Sequence, residues 1–284
     1  RNKHLDTTIS LAEVSQRIPG FSGADIENLL NEAALLAARA NRNVLSESDI
    51  DEAIDRVMMG PAKTSRSYNP REKKLVAYHE AGHAVIGLKL EDAAEVQKVT
   101  IIPRGRAGGY NLMTPKEETF LETKDSLLAT ITGFLGGRVA EEVAFDSVTT
   151  GAHNDFQRAT QIARAMVTEY GMSDLGPLQY EQAQGNVFLG RDYMKEKNYS
   201  DKVGHEIDIE VRKIIDHCHA TATKIITENR DLLDAIANYL MKAETLNKAD
   251  ILEIEATGKL AGYDNHHKEK NQVSEAVEDS TKEN

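Results

Sequence analysis

Asn69-Pro70-Arg71-Glu72-Lys73-Lys74-Leu75-Val76-Ala77-Tyr78-His79-Glu80-Ala81-Gly82-His83 is the stretch from which the rest of the chain can be read. Asn69 is a cap residue, and Pro70 suits the first helical position, where the missing N–H is no loss. The helix so begun runs to about Leu90 and carries His79-Glu80-Ala81-Gly82-His83, an H-E-x-x-H. Residues four apart on a helix lie about 40° apart around it and about 6 Å along it. Both imidazoles therefore leave one face and can share a metal ion, and nitrogen ligands at about 2.0–2.1 Å suit Zn²⁺. Glu80 can reach a water held by that metal, whose pKa falls towards about 7, and take its proton as it attacks a peptide carbonyl. The bland reading is two core histidines bonded to backbone, and Leu75, His79, Gly82 and Ile86 do share a face. With nine histidines in 284 residues, the five-residue pattern arises by chance in roughly 3% of such chains. The metal reading is preferred.

Two histidines do not complete a site, since catalytic zinc has three protein ligands and an open position. The metzincin extension would need glycine and histidine three and six places after His83; Ile86 and Lys89 stand there. The third ligand must come from further on. Glu141 and Glu142 lie in a glycine-bearing helix expected through Leu127, Leu128, Ile131, Leu135 and Val139, with Asp125 as its cap. His153 and Asp155 open the next, expected over about Asn154 to Tyr170. Geometry alone leaves all four in play.

Upstream, Ser10, Ser22 and Ser46 are each followed three places later by an acid, the pattern in which hydroxyl and carboxylate satisfy the first turn's amides reciprocally. After Ser22, Ile26, Leu29, Leu30, Ala33, Leu36, Ala37 and Ala40 form a helical stripe. Residues 1–60 thus read as a small helical unit, 61–69 as a linker, 70–262 as a second unit, and 263–284 as a polar, disordered tail. Val99-Thr100-Ile101-Ile102 and Gly108 to Met113 give the main strand signal, read as a short hairpin. From about Ser200, two or three more helices follow. The fold class expected is mainly α with one small β element.

Composition narrows the function classes. Lys plus Arg is 34 and Asp plus Glu 46, a formal charge of -12, which argues against nucleic acid or an anionic membrane surface as a partner. A single cysteine, Cys218, fits a reducing compartment. The chain opens on Arg1 rather than methionine, and the reading expects a piece of a longer chain.

Thr150-Gly151-Ala152-His153-Asn154-Asp155-Phe156-Gln157-Arg158-Ala159-Thr160 resembles the T-G-A-x-N-D-x-x-x-A-T block of the FtsH family of membrane-anchored AAA+ zinc proteases. Tyr78 to Ala84, Leu135 to Glu142 and Gly20 to Asp25 resemble that family in order and approximate spacing. The resemblance covers nearly everything up to about Gly262. It implies His79, His83 and Asp155 as zinc ligands and Glu80 as catalytic base, and it ranks Asp155 above Glu141, Glu142 and His153. It implies that residues 1–60 are the helical AAA+ lid, with Gly23 and Ala24 on the adenine side, and that 70–262 are the peptidase domain. It also implies an edge strand within Val99 to Met113 that receives extended substrate. His266-His267 and His217-Cys218-His219 are weaker metal candidates, since helix geometry puts no such neighbours on one face.

No G-x-x-x-x-G-K-[ST] is present, so ATP and Mg²⁺ are expected only in the full-length parent. The expected function is a zinc metalloendopeptidase domain acting on unfolded or membrane-extracted proteins. The parent is expected as a homohexamer at the cell membrane, its protease domain on the cytoplasmic side and its membrane contact confined to amino-terminal segments; this piece is expected to be soluble. The alternatives are a non-enzymatic oligomerisation module with structural zinc and a nucleotide sensor acting through the lid.

Overall fold

The computed structural model describes residues 3–63, 68–105, 107–117, 119–181 and 199–263. Part of the expected linker (64–67) and residues 264–284 of the expected tail, with His266-His267, lie outside the described residues, whereas Tyr263 is described and packs edge-on against Tyr239. The chain is mainly helical, with one three-stranded antiparallel sheet among the described residues.

Helices α1 (Leu11–Gln16), α2 (Gly23–Arg39) and α3 (Glu47–Met59) begin at the three expected serines. At α2 the reciprocal cap is complete: Ser22 Oγ accepts from the Asp25 amide at 3.3 Å, and Asp25 accepts from the Ser22 amide at 2.9 Å. These helices close over their own core of Leu29, Ala33, Leu45, Ile50, Ala53 and Ile54. Ile26, at the edge of the apolar stripe, is 40% exposed, so the buried face is narrower than the stripe.

Helix α4 (Pro70–Lys89) is capped by Asn69, with Pro70 in its first turn as expected. β1 (Glu95–Thr100) and β2 (Tyr110–Thr114) form the hairpin. Helix α5 (Lys124–Phe145) is capped by Thr123, two residues ahead of the expected Asp125. Thr123 Oγ1 accepts from the Ser126 amide at 3.0 Å, which leaves Asp125 inside the first turn. Then come α6 (His153–Thr168), α7 (Asp201–Glu228), α8 (Arg230–Ala243), β3 (Thr245–Asn247) and α9 (Lys248–Thr257). β3 pairs with β1, so the sheet order is β2-β1-β3 and β2 is an edge.

Two glycines decide how α4 meets α5. A methyl carbon on Gly82 would stand 2.4 Å from the Gly136 carbonyl oxygen, and one on Gly136 would stand 2.9 Å from that of Gly82. The helices therefore touch backbone to backbone. α5 serves two cores: Val139 and Ala140 pack with α4, the sheet and α8, while Ile131 and Leu135 pack with α6 and α7.

The first three helices are tied to the sheet by buried charge. Asp55 of α3 accepts from Lys98 Nζ of β1 at 2.9 Å, and Arg104 reaches Glu52 at 2.6 Å and Asp55 at 3.2 Å. Beside them the Lys63 amide donates to the Pro103 carbonyl at 2.9 Å.

Candidate metal centre

His79 and His83 face each other one turn apart on α4, their Nε2 atoms separated by 3.2 Å. Asp155, in the first turn of α6, places Oδ2 at 3.4 Å from His79 Nε2 and 3.7 Å from His83 Nε2. Ligands arranged tetrahedrally about zinc at about 2.0–2.2 Å stand about 3.3–3.6 Å from one another. The three separations bracket that spacing. Among the described residues this is the one convergence of three such groups.

The other ring nitrogens fix the lone pairs. His83 Nδ1 lies 2.8 Å from the carbonyl oxygen of Gly133, an acceptor only, so it must be the donor. His79 Nδ1 lies 2.8 Å from Glu141 Oε1. With both Nδ1 atoms donating, both Nε2 atoms face the same point as the Asp155 carboxylate, and a cation that replaces the proton held on His79 would meet two lone pairs there. This carboxylate–imidazole pairing is the usual outer support of a metal-binding histidine. Gly137 keeps the point open, since a methyl carbon there would lie 2.6 Å from both Nε2 atoms.

Electrostatics favour a positive charge between the rings. Burial works against a charged His79, yet Asp155 and Glu141 raise its pKa to about 10. Burial and the neighbouring His79 push His83 down to about 4, since two charged rings cannot share the space. Glu80 is buried, and desolvation raises its carboxyl to about 7 against the pull of His79 and Asn111. A carboxyl near neutrality suits proton transfer in either direction.

The remaining candidates fall elsewhere. Glu141 meets the back of His79 instead of the shared point, and it also accepts from the Thr149 amide at 2.6 Å. Glu142 faces His219 at 3.0 Å. His153 is exposed at the start of α6. Cys218 is buried in the α5–α7 core, which separates it from any joint site with His217 and His219. Gly23 and Ala24 form the exposed first turn of α2. Sequence reasoning missed Asn111, whose Nδ2 donates to Glu80 Oε2 at 2.7 Å and to the Glu80 carbonyl at 3.1 Å. No motif marks it; only its place in the second strand of the hairpin could have.

Comparison with known families matches residues 66–254 to peptidase family M41, a span that contains His79, Glu80, His83, Asn111, Glu141 and Asp155. The chain belongs to peptidase family M41. Residues 8–52 match the AAA+ lid domain. Similar proteins include the ATP-dependent zinc metalloprotease FtsH of Acholeplasma laidlawii (strain PG-8A), 68% identical over 95% of this chain and 42% of the relative. The protein of the same name from Bacillus subtilis (strain 168) is 57% identical over 95% of this chain and 43% of its own. The one from Aster yellows witches'-broom phytoplasma (strain AYWB) is 58% identical over 95% and 38%. This M41 chain thus spans under half the length of these relatives. Among its described residues no helix is long and apolar enough to cross a membrane.

Proposed function

We propose that this chain is the zinc metalloendopeptidase portion of an ATP-dependent protease, with His79, His83 and Asp155 as zinc ligands and Glu80 as general base. The observation that carries the reading is the meeting of three ligand atoms 3.2, 3.4 and 3.7 Å apart, with both histidine Nδ1 atoms already engaged behind them. Bound zinc supplies a Lewis acid that polarises the scissile carbonyl and acidifies a coordinated water. Among the described residues three protein groups converge, the number that would hold a catalytic zinc and leave it a position for water; a structural site would use four.

The residues of the chain do the rest. Asn111 holds Oε2 of Glu80, which leaves Oε1 to accept the proton of the attacking water and return it to the leaving amine. β2, at the sheet edge next to Glu80, offers backbone groups with which an extended peptide can pair. Such pairing binds many sequences without reading side chains, which suits unfolded or membrane-extracted protein substrates. The relatives' printed names and the lid match support the wider proposal of a parent that uses ATP and Mg²⁺, with Gly23 and Ala24 near the adenine. That proposal also makes the parent a membrane-anchored homohexamer with this portion on the cytoplasmic side.

The test pairs metal content with cleavage. Glu80→Gln is expected to retain bound zinc and to lose casein cleavage by at least about 10²-fold, the usual worth of a positioned base. Full activity in that variant, or wild-type protein that cleaves casein in the presence of excess chelator, would defeat the assignment.

A further inference from the structure

The start of β2 alternates between two partners. Gly109 and Asn111 face α4: a methyl carbon on Gly109 would lie 2.8 Å from Glu80 Oε1, and Asn111 bonds both the carboxylate and the backbone carbonyl of Glu80. Tyr110, between them, points the other way, and its hydroxyl donates to Asp55 of α3. This is the period-two alternation of any strand. Here it joins two units of the molecule. Tyr110 pairs in register with Thr100 of β1, and Lys98, two residues back on the same face, also reaches Asp55. Burial and the Asp55 charge drive the Tyr110 hydroxyl far above its ordinary pKa, so it remains a donor.

Asn111 itself is held at a cost. Only its NH₂ can face two acceptors, so Oδ1 must turn away, and Oδ1 is buried without a hydrogen-bond partner among the described residues. That amide clamps one glutamate at two points.

We propose that β2 is a lever by which the lid sets the general base: Asp55 holds Tyr110, and Tyr110 holds the strand so that the next residue, Asn111, aims the Glu80 carboxylate. Asn111 and Tyr110 are positioning residues, and the inference rests on the peptidase reading only for its kinetic consequence. It implies that a lid displaced from the sheet would leave Glu80 unaimed, so that the seating of α3 gates cleavage.

The test uses the full 284-residue chain with zinc, a short unstructured fluorogenic peptide, and the variants Asn111→Ala, Tyr110→Phe and the double variant. Tyr110→Phe removes one oxygen and leaves Lys98 and Arg104 on Asp55, so the fold should survive. A misplaced catalytic group costs up to about 10²-fold; Asn111→Ala is expected to lower kcat about tenfold and Tyr110→Phe about threefold, both with unchanged KM and zinc content. In the Asn111→Ala background, Tyr110→Phe should add nothing, because its effect passes through Asn111. Crystal structures of the same proteins give a readout independent of activity: Tyr110→Phe should lengthen the Asn111–Glu80 contact, and Asn111→Ala should free the carboxylate to another rotamer. Equal effects of Tyr110→Phe in both backgrounds, or a Glu80 carboxylate unmoved in both crystal structures, would overturn the lever. Zinc-loaded wild type that cleaves nothing would instead defeat the peptidase reading, and the crystallographic comparison would still decide the lever.

Discussion

Glu141 commits both oxygens: Oε1 takes His79 Nδ1 and, at 3.0 Å, the Thr149 hydroxyl, and Oε2 takes the Thr149 amide. Burial opposes its ionisation, but the bonds from His79 and Thr149 keep its pKa below the usual carboxylate range. It is therefore an anion that orients one ring and raises that ring's basicity. Outer-shell partners of this kind are worth about 10–100-fold in metal affinity. Glu141→Gln should weaken zinc by that factor while leaving Asp155 in place, whereas Asp155→Ala should lose more; titration against a chelating dye separates them. Equal affinity in Glu141→Gln and wild type would remove this support from the site. A second carboxylate acts on stability. Asp49 accepts two bonds from Arg42, at 2.6 and 2.8 Å, and bonds from Ser46, and the Arg42 bonds hold it well below its ordinary value. A depressed folded pKa means that the contribution is complete above the unfolded value of about 3.9 and fades as pH falls through the folded one. Arg42 is well exposed, so the contribution is about 1 kcal/mol. Urea unfolding should show Asp49→Asn less stable by that amount at pH 7, with the gap closing as pH falls below 4; a pH-independent gap would assign the effect to packing.

The crossing of α4 and α5 sets where the two imidazoles meet Glu141 and the Gly133 carbonyl. A side chain at Gly82 or Gly136 meets backbone rather than a yielding side-chain end. Overpacking of this kind costs about 1–3 kcal/mol, sometimes more, so Gly136→Ala should lower Tm and spread the histidines from their partners. Gly133 supplies the control on the same helix: nothing lies within 4 Å of a methyl carbon there. Gly133→Ala should therefore stabilise α5 by up to about 1 kcal/mol on propensity alone. If both variants shifted Tm in the same direction by the same amount, close approach would not be what the glycines provide. The same crossing explains how much of the site was legible in the sequence. The histidine pair and the serine and asparagine caps follow from local periodicity and local hydrogen bonding, so they could be read directly. Asp155 could not be chosen by geometry, because its approach depends on how α6 packs on α5; the resemblance supplied it. Glu141 was visible as a candidate, but its side of the imidazole depends on a contact made 62 residues away in sequence. β3 was missed because three residues, Thr245–Asn247, carry no alternation to detect. Asp55, Lys98 and Arg104 look like surface charges in a sequence and become a buried cluster only when α3 meets the sheet.

Across the whole molecule, the three proposed ligands belong to different packing units. His79 and His83 stand on α4, whose Ala77, Ala81, Ala84 and Val85 lie in the core with the sheet and α8. Asp155 stands on α6, whose Ala159 and Ala163 lie in the core with α7. α5 touches both, but zinc would be a direct tie between them. A ligand that binds only the folded form stabilises it by about 2.7 kcal/mol at a hundredfold excess over Kd. That free energy should appear where the tie is made. Hydrogen exchange with and without zinc should show added protection along α4 near His83 and in the first turns of α6, because opening either helix breaks the site. Amides of α2 and α3 should be unchanged, since their core of Leu29, Ala33, Ile50 and Ile54 holds none of the proposed ligands. In Asp155→Ala the gain on α6 should vanish. Protection that rose equally in α2, or rose on α4 alone in the wild type, would mean that the metal does not bridge the two cores.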